Sequence, residues 1–325
     1  MPPKKSAAKT EPAKNGAKAE KPVKQQPTPD DTKSQDASKD SSRKRKQATD
    51  DGESQKSARR SGRSAPKSQP TQVQLLNYML SQPAEELCRP EDETEDIRSR
   101  SSIRTYSTTV MSPFEELLCA VILSRPISHR LGHRTIRTVL NDPYNFTTAK
   151  AIQAAGSEKH HQALWDAKTQ HKAKTAEQIG QIADVVLEKF TGKGDEGGTE
   201  MQKLLDDCNG DIDKALDTLK TSIKGLGDTG LNIFLRRVQW LWSAAFPFVD
   251  ASKTAMSLRK LGLPEEGEEL RKAVEQHWKK LDSGNVAGDD EAAKKRRAFV
   301  VILERAVGAD LEGKVDELVA AAAAS

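Results

Sequence analysis

The sequence predicts an all-α body behind a disordered basic N-terminal tail, and three observations carry that prediction. From about residue 112 nearly to the end, apolar residues recur at helical spacing, with no alternating strand pattern longer than a few residues and no internal repeat. Of the 52 Lys/Arg and 48 Asp/Glu in the chain, residues 1–70 hold 18 and 9, which leaves the rest with a net charge of −5. That same N-terminal stretch lacks Phe, Tyr and Trp, and Met1 and Val23 are its only large apolar residues.

Several classes are excluded at once. A length of 325 residues allows one to three domains. No run of about 18 apolar residues exists, so no membrane span is expected. Met1-Pro2-Pro3-Lys4-Lys5 has no apolar run behind it, so no secretory signal is expected. Cys88, Cys119 and Cys208 stand far apart and form no zinc or iron–sulfur spacing. They read as reduced intracellular thiols, with Cys119 in the core.

Taken in order, residues 1–70 cannot bury enough surface to offset their ordering entropy and are expected to be disordered. Within them Arg43, Lys44, Arg45 and Lys46 form a basic cluster. It reads as a nuclear localisation signal or a phosphate-touching arm, and the competing reading is solvated low-complexity charge. Residues 71–111 contain a short helix with Leu75, Leu76 and Met79, a turn at Glu85–Cys88, and a charged stretch, Arg89–Thr109, read as a linker. Ser112-Pro113-Phe114-Glu115 is a capping box with proline at the first helical position. Behind it Phe114, Leu117, Leu118, Val121 and Ile122 form a buried face. Another helix is expected from about Thr175 to Phe190, and one from about Asp228 with an apolar stripe running from Leu231 to Ala245. Beyond Pro264, helices are expected over about 266–282 and 290–307, followed by an Ala-rich end. Lys294-Lys295-Arg296-Arg297 reads as a solvated helix face, with a second targeting signal or a phosphate contact as the alternative. Trp165 and Trp278 read as packing residues, and His160-His161 shows no metal spacing.

The segment richest in chemistry is Ile223-Lys224-Gly225-Leu226-Gly227-Asp228, between two helical patterns. Glycines permit positive φ and close backbone approach, and free N–H groups at a helix start favour an anion. The carbonyls of Ile223 and Leu226 offer a place for a monovalent cation against the same phosphate. The competing reading is a Gly-rich turn between packed helices. Asp228 stands near the N-cap, where its carboxylate would compete for the same N–H groups. Further on, Asp250 follows the apolar run Phe246-Pro247-Phe248-Val249 and precedes a helix over Ala251–Leu261. It reads as a cap, as a carboxylate at a cleft edge, or as both.

These residues resemble, in order, four segments of the helix-hairpin-helix DNA glycosylase superfamily, nearest in layout to endonuclease III-like enzymes. Pro113–Ser124 resembles the opening helix, Lys174–Ile179 the helix start before the hairpin, Lys224–Gly227 the hairpin, and Val249-Asp250 with Arg259–Pro264 the catalytic aspartate segment. The likeness covers about half of the chain. It implies a two-lobed body, with residues 112–264 as the core and residues 265–325 completing the second lobe together with Val73–Cys88. It implies a double-stranded DNA partner, with Lys224, Gly225, Leu226 and Gly227 clamping a phosphate and the target base flipped between the lobes. Asp250 would then stabilise the sugar cation and direct water. Thr229 stands where bifunctional members carry a lysine, so a monofunctional enzyme is expected. Thr229 and Asn232 would line the pocket, and Arg236 and Lys253 would touch phosphates. Arg125-Pro126 stands where the family's intercalating residue lies. The iron–sulfur cysteines are absent from the C-terminal region, so no cofactor is expected beyond the hairpin cation. The resemblance leaves two function classes open: a base-excision repair glycosylase, or a noncatalytic DNA-binding or chromatin-associated module. No long heptad seam exists, and a nuclear monomer is expected.

Overall fold

A computed structural model describes residues 69–100 and 102–325, which form fourteen α-helices and no strand. The basic tail and its Arg43–Lys46 cluster lie outside the described residues. Among the described residues no helix is long and apolar enough to cross a membrane.

The chain opens with α1 (Gln72–Leu80), α2 (Gln82–Leu87) and α3 (Glu91–Ser99). Next come α4 (Pro113–Leu123), α5 (His129–Leu140), α6 (Ala149–Asp166), α7 (Lys172–Val185), α8 (Gln202–Asp207), α9 (Ile212–Ser222) and α10 (Asp228–Val238). The last four are α11 (Lys253–Leu261), α12 (Gly267–His277), α13 (Glu291–Leu311) and α14 (Val315–Ala324). Two hydrophobic cores divide them. The first is built around α4, with Phe114, Leu117, Ile179, Leu219 and Phe234 at its centre. The second joins α1 to α11, α12, α13 and α14 through Leu76, Met79, Leu258, Phe299 and Leu303. A cleft of about 700 Å³ lies between the two cores.

The local chemistry explains most of these elements. At α4 the Ser112 hydroxyl accepts from the Glu115 amide and the Glu115 carboxylate accepts from the Ser112 amide, which satisfies two otherwise orphaned donors. A second capping box, Thr71 with Gln74, starts α1. All residues of α4 from Pro113 to Ile122 are buried, because this helix runs between its neighbours rather than over them. Cys119 is fully buried beside Met111, and all three cysteines are free.

Four expectations need correction. Arg89–Thr109 is not simply a linker, because it contains α3. The acidic side of that helix meets basic groups from α5: Arg137 reaches Asp92 (2.9 Å), Glu93 (3.1 Å) and Asp96 (2.7 Å), and His133 reaches Glu93 (2.6 Å). Local charge density reads as solvated when the opposing charges lie some 40 residues away. Second, α10 stops at Val238, yet Trp242 still packs edge-on against Phe234 at 5.1 Å, so the apolar stripe continues through a turn. Third, Trp165 is 64 % exposed, with the Lys172 amine 4.6 Å over its ring, and is not a core residue. Fourth, the basic run on α13 is not a uniformly solvated face, since Arg297 is buried.

Candidate functional site

Helices α9 and α10 meet in a tight hairpin. Gly225 takes φ +83°, which favours glycine, and a Cβ there would stand a tight 3.1 Å from the Gln178 amide nitrogen. Leu226 is buried in the first core and anchors the turn. Gly227 is different. Its backbone is extended (φ −101°, ψ −177°), and a Cβ there would meet nothing within 4 Å. Glycine at this position keeps the space before the first turn of α10 open. Gly227 is the N-cap and no side chain caps the helix. Asp228 therefore does not cover the helix start, because its exposed carboxylate turns to Lys220 (2.6 Å). Lys224 is exposed on the same turn.

Two of the expected hairpin contacts have other uses in this geometry. Arg125 donates to the Gln178 side-chain oxygen, and Gln178 donates to the Lys224 carbonyl (2.9 Å). Arg125 thus braces the hairpin from the loop after α4. Of the expected cation-facing carbonyls, Ile223 accepts the Leu226 amide (3.2 Å), closing the turn itself. Among the described residues no group of three His, Cys, Asp or Glu is placed to hold a metal ion.

From the hairpin, α10 runs into the cleft. Thr229, Asn232 and Arg236 lie on one face of it and line the cleft together with Asp250 and Lys253. At about 1.5 Å per residue, Arg236 is about 14 Å along the helix axis from Gly227. Asp250 is 3 % exposed. It receives the Ser252 hydroxyl (2.8 Å) and the Thr254 amide (3.3 Å) on Oδ1, and the Thr254 hydroxyl on Oδ2. An Arg236 guanidinium nitrogen stands 3.9 Å from Oδ2. Burial pushes the pKa of Asp250 up, but the donors from Thr254 and Ser252 and the Arg236 charge outweigh it and hold the group below the usual carboxylate range. α11 begins at Lys253, two residues later than the sequence suggested, and Asp250 still binds its first turn.

Arg236 is not a free phosphate contact. It is buried, and its Nε donates to Glu304 on α13 (2.5 Å). Lys253 is partly exposed at the cleft edge, where its amine is held by Asp310 (2.7 Å). Asp310 also takes Lys260 (2.5 Å) and the Ser257 hydroxyl (2.9 Å).

The cleft floor, and Glu116 just behind it, contain charged groups that the sequence did not reveal. Glu116, inside the apolar α4, accepts two hydrogen bonds from Arg237 (2.8 and 3.0 Å). Arg237 also lies 3.7 Å from Glu304 and covers the Tyr106 ring at 4.2 Å. Arg297 completes the set. At the other wall the rings of His129 and His133 stand 4.1 Å apart, and His129 reaches across to Glu312 of the second core's helices (2.6 Å). A signal did exist: Arg297, Val300, Val301, Glu304 and Gly308 recur at helical spacing and all line the cleft. By contrast His160 is satisfied inside the first core by the Ile152 carbonyl (2.7 Å). Compared with models of known families, with curated proteins and with solved structures, the chain matches none.

Proposed function

We propose that this protein binds double-stranded DNA and hydrolyses the N-glycosidic bond of a damaged or mismatched base flipped into the cleft, as a divergent helix-hairpin-helix DNA glycosylase. The observation that carries the reading is the layout of α10. Its N-terminus offers uncovered amides behind an open glycine, and its next turns lead to a buried, ionised carboxylate in a cleft of about 700 Å³.

In this reading the hairpin holds a backbone phosphate through its amides, with Lys224 adding charge. The flipped nucleotide enters past Thr229 and Asn232. Asp250 contributes a fixed negative charge beside the sugar as it gains oxocarbenium character. With its pKa held low, Asp250 is a poor proton acceptor, so charge stabilisation is its main part and water is oriented rather than deprotonated. Thr229 supplies no amine, and the Lys253 amine is engaged by Asp310. The product is therefore an intact strand with an abasic site. The tail supplies nonspecific phosphate affinity that a body of net negative charge lacks, and its Arg43–Lys46 cluster directs the protein to the nucleus.

The test is a panel of duplexes carrying uracil, mismatched thymine, oxidised bases or alkylated bases. The expected outcome is strand breakage only after alkali, with no adduct trapped by borohydride. Breakage without alkali, or a trapped adduct, refutes the monofunctional assignment.

One observation favours a second reading, a noncatalytic DNA-binding module. Asp250 is almost fully buried, and its oxygens already serve Ser252 and Thr254 at the start of α11. A cap alone needs nothing more. The two readings separate on replacement of that carboxylate.

A further inference from the structure

Arg297 stands apart from the other buried or partly buried arginines around the cleft. Arg236 is paired with Glu304, Arg237 with Glu116, and Arg305 with Glu85 (2.9 Å) and the carbonyls of Met79 and Ser81. Arg297 lines the same cleft and is 6 % exposed. Among the described residues its guanidinium has no ion pair and no hydrogen bond, and its Nη1 is buried without a partner. Its guanidinium carbon stands 5.2 Å from the centre of the Trp240 ring, within cation–π range. Burial and the neighbouring Arg237 push its pKa down to about 10, so it is still a cation at neutral pH. A buried donor-only group left without acceptors is costly, and such groups mark places where something else supplies the acceptor.

One further buried atom in the cleft walls lacks a partner, His133 Nε2. The charges already balance: Arg236, Arg237 and Arg297 face Glu116, Glu304 and Asp250. A neutral ligand with acceptor oxygens suits this floor better than another anion. A guanidinium cannot accept, so it welcomes a carbonyl and opposes an amino group at the same place.

Resting on the glycosylase reading, we infer that Arg297 is a specificity-determining residue that selects flipped bases presenting a carbonyl oxygen where the parent base presents an exocyclic amine. Uracil and hypoxanthine belong to that class, and cytosine and adenine are their rejected counterparts. The Trp240 ring beside the guanidinium holds it in the cleft wall.

The test uses the full chain and duplexes whose glycosidic bond resists hydrolysis. Each carries one 2′-fluoro nucleotide, uracil or cytosine in one pair and hypoxanthine or adenine in the other, opposite a tetrahydrofuran residue so that neither base is paired. The expected preference for the carbonyl base is on the order of 10- to 100-fold, the discrimination that a well-placed guanidinium contact supplies. Arg297→Met should erase the preference and leave affinity for undamaged duplex unchanged. Because Arg297 has no partner to orphan, the variant should melt at the same temperature as the wild type or higher, and Arg297→Lys should restore part of the preference. Equal affinity for the two bases, or a preference that survives in Arg297→Met, overturns the inference. A carbonyl preference without base release from hydrolysable duplexes would refute the enzyme reading and uphold this one.

Discussion

At the hairpin two buried apolar side chains, Ile223 and Leu226, anchor a turn whose exposed face is largely backbone. At the cleft floor five buried charged side chains from α4, α10, α13 and the loop before α11 gather with the partly buried Glu304. The hairpin presents partial charges that never titrate and need no partner from elsewhere in the chain. The floor depends on full charges, and apart from Arg297 they meet partners that include ones brought from 121 residues away, as for Glu116 and Arg237, or 68, as for Arg236 and Glu304. The difference teaches where this fold is vulnerable. The hairpin tolerates change in its charges, whereas the floor does not tolerate loss of one partner of an ion pair.

The largest expected effect follows directly. Removing one partner of the buried pair, by Glu116→Leu or Arg237→Met alone, should cost about 3–5 kcal/mol by leaving an uncompensated charge. The double variant should recover much of that loss. Denaturant titrations of the four proteins would show it, and additive losses would break the comparison.

The next effect is on acid stability. Burial pushes the pKa of Asp310 up, but the hydrogen bonds from Lys253, Lys260 and Ser257 hold it down to about 2. A group depressed on folding stabilises the protein above its unfolded pKa, near 4, and that contribution fades as pH falls toward 2. Unfolding measured from pH 5 to 2 should therefore be shallower for Asp310→Asn than for the wild type. Asp228→Asn at the hairpin, whose Lys220 partner is exposed, should follow the wild type. Equal slopes for Asp310→Asn and the wild type would remove the cleft edge from the comparison.

How much of this was legible in the sequence follows the same division. Local signals sufficed for the Ser112–Glu115 capping box, the buried face of α4, the Gly225–Gly227 turn and the general all-helical character. They also pointed to Asp250 at the start of a helix. The cleft floor was not legible, because Glu116, Arg237, Glu304 and Arg297 each look like ordinary surface charges until the helices pack. The same reason hid α3, whose acidic residues have their partners on α5. Arg236 was read as facing a phosphate because its helix face was legible and its partner Glu304 was not.

The smallest effect on folding sharpens the contrast. Gly227→Ala places a Cβ in open space at an extended backbone, so stability should change by no more than about 0.5 kcal/mol. Duplex affinity should nevertheless fall, because the methyl group stands before the open amides. An unchanged affinity would mean that the hairpin is only a turn.

The measurement that tests the central claim most directly compares single-turnover base release by the wild type and Asp250→Asn on the duplex panel, with duplex affinity measured beside it. Glycosylase action through Asp250 gives abasic product from the wild type, a loss on the order of 100-fold or more in Asp250→Asn, and unchanged affinity. Equal base release by both proteins, or intact binding with no base released by either, would contradict it.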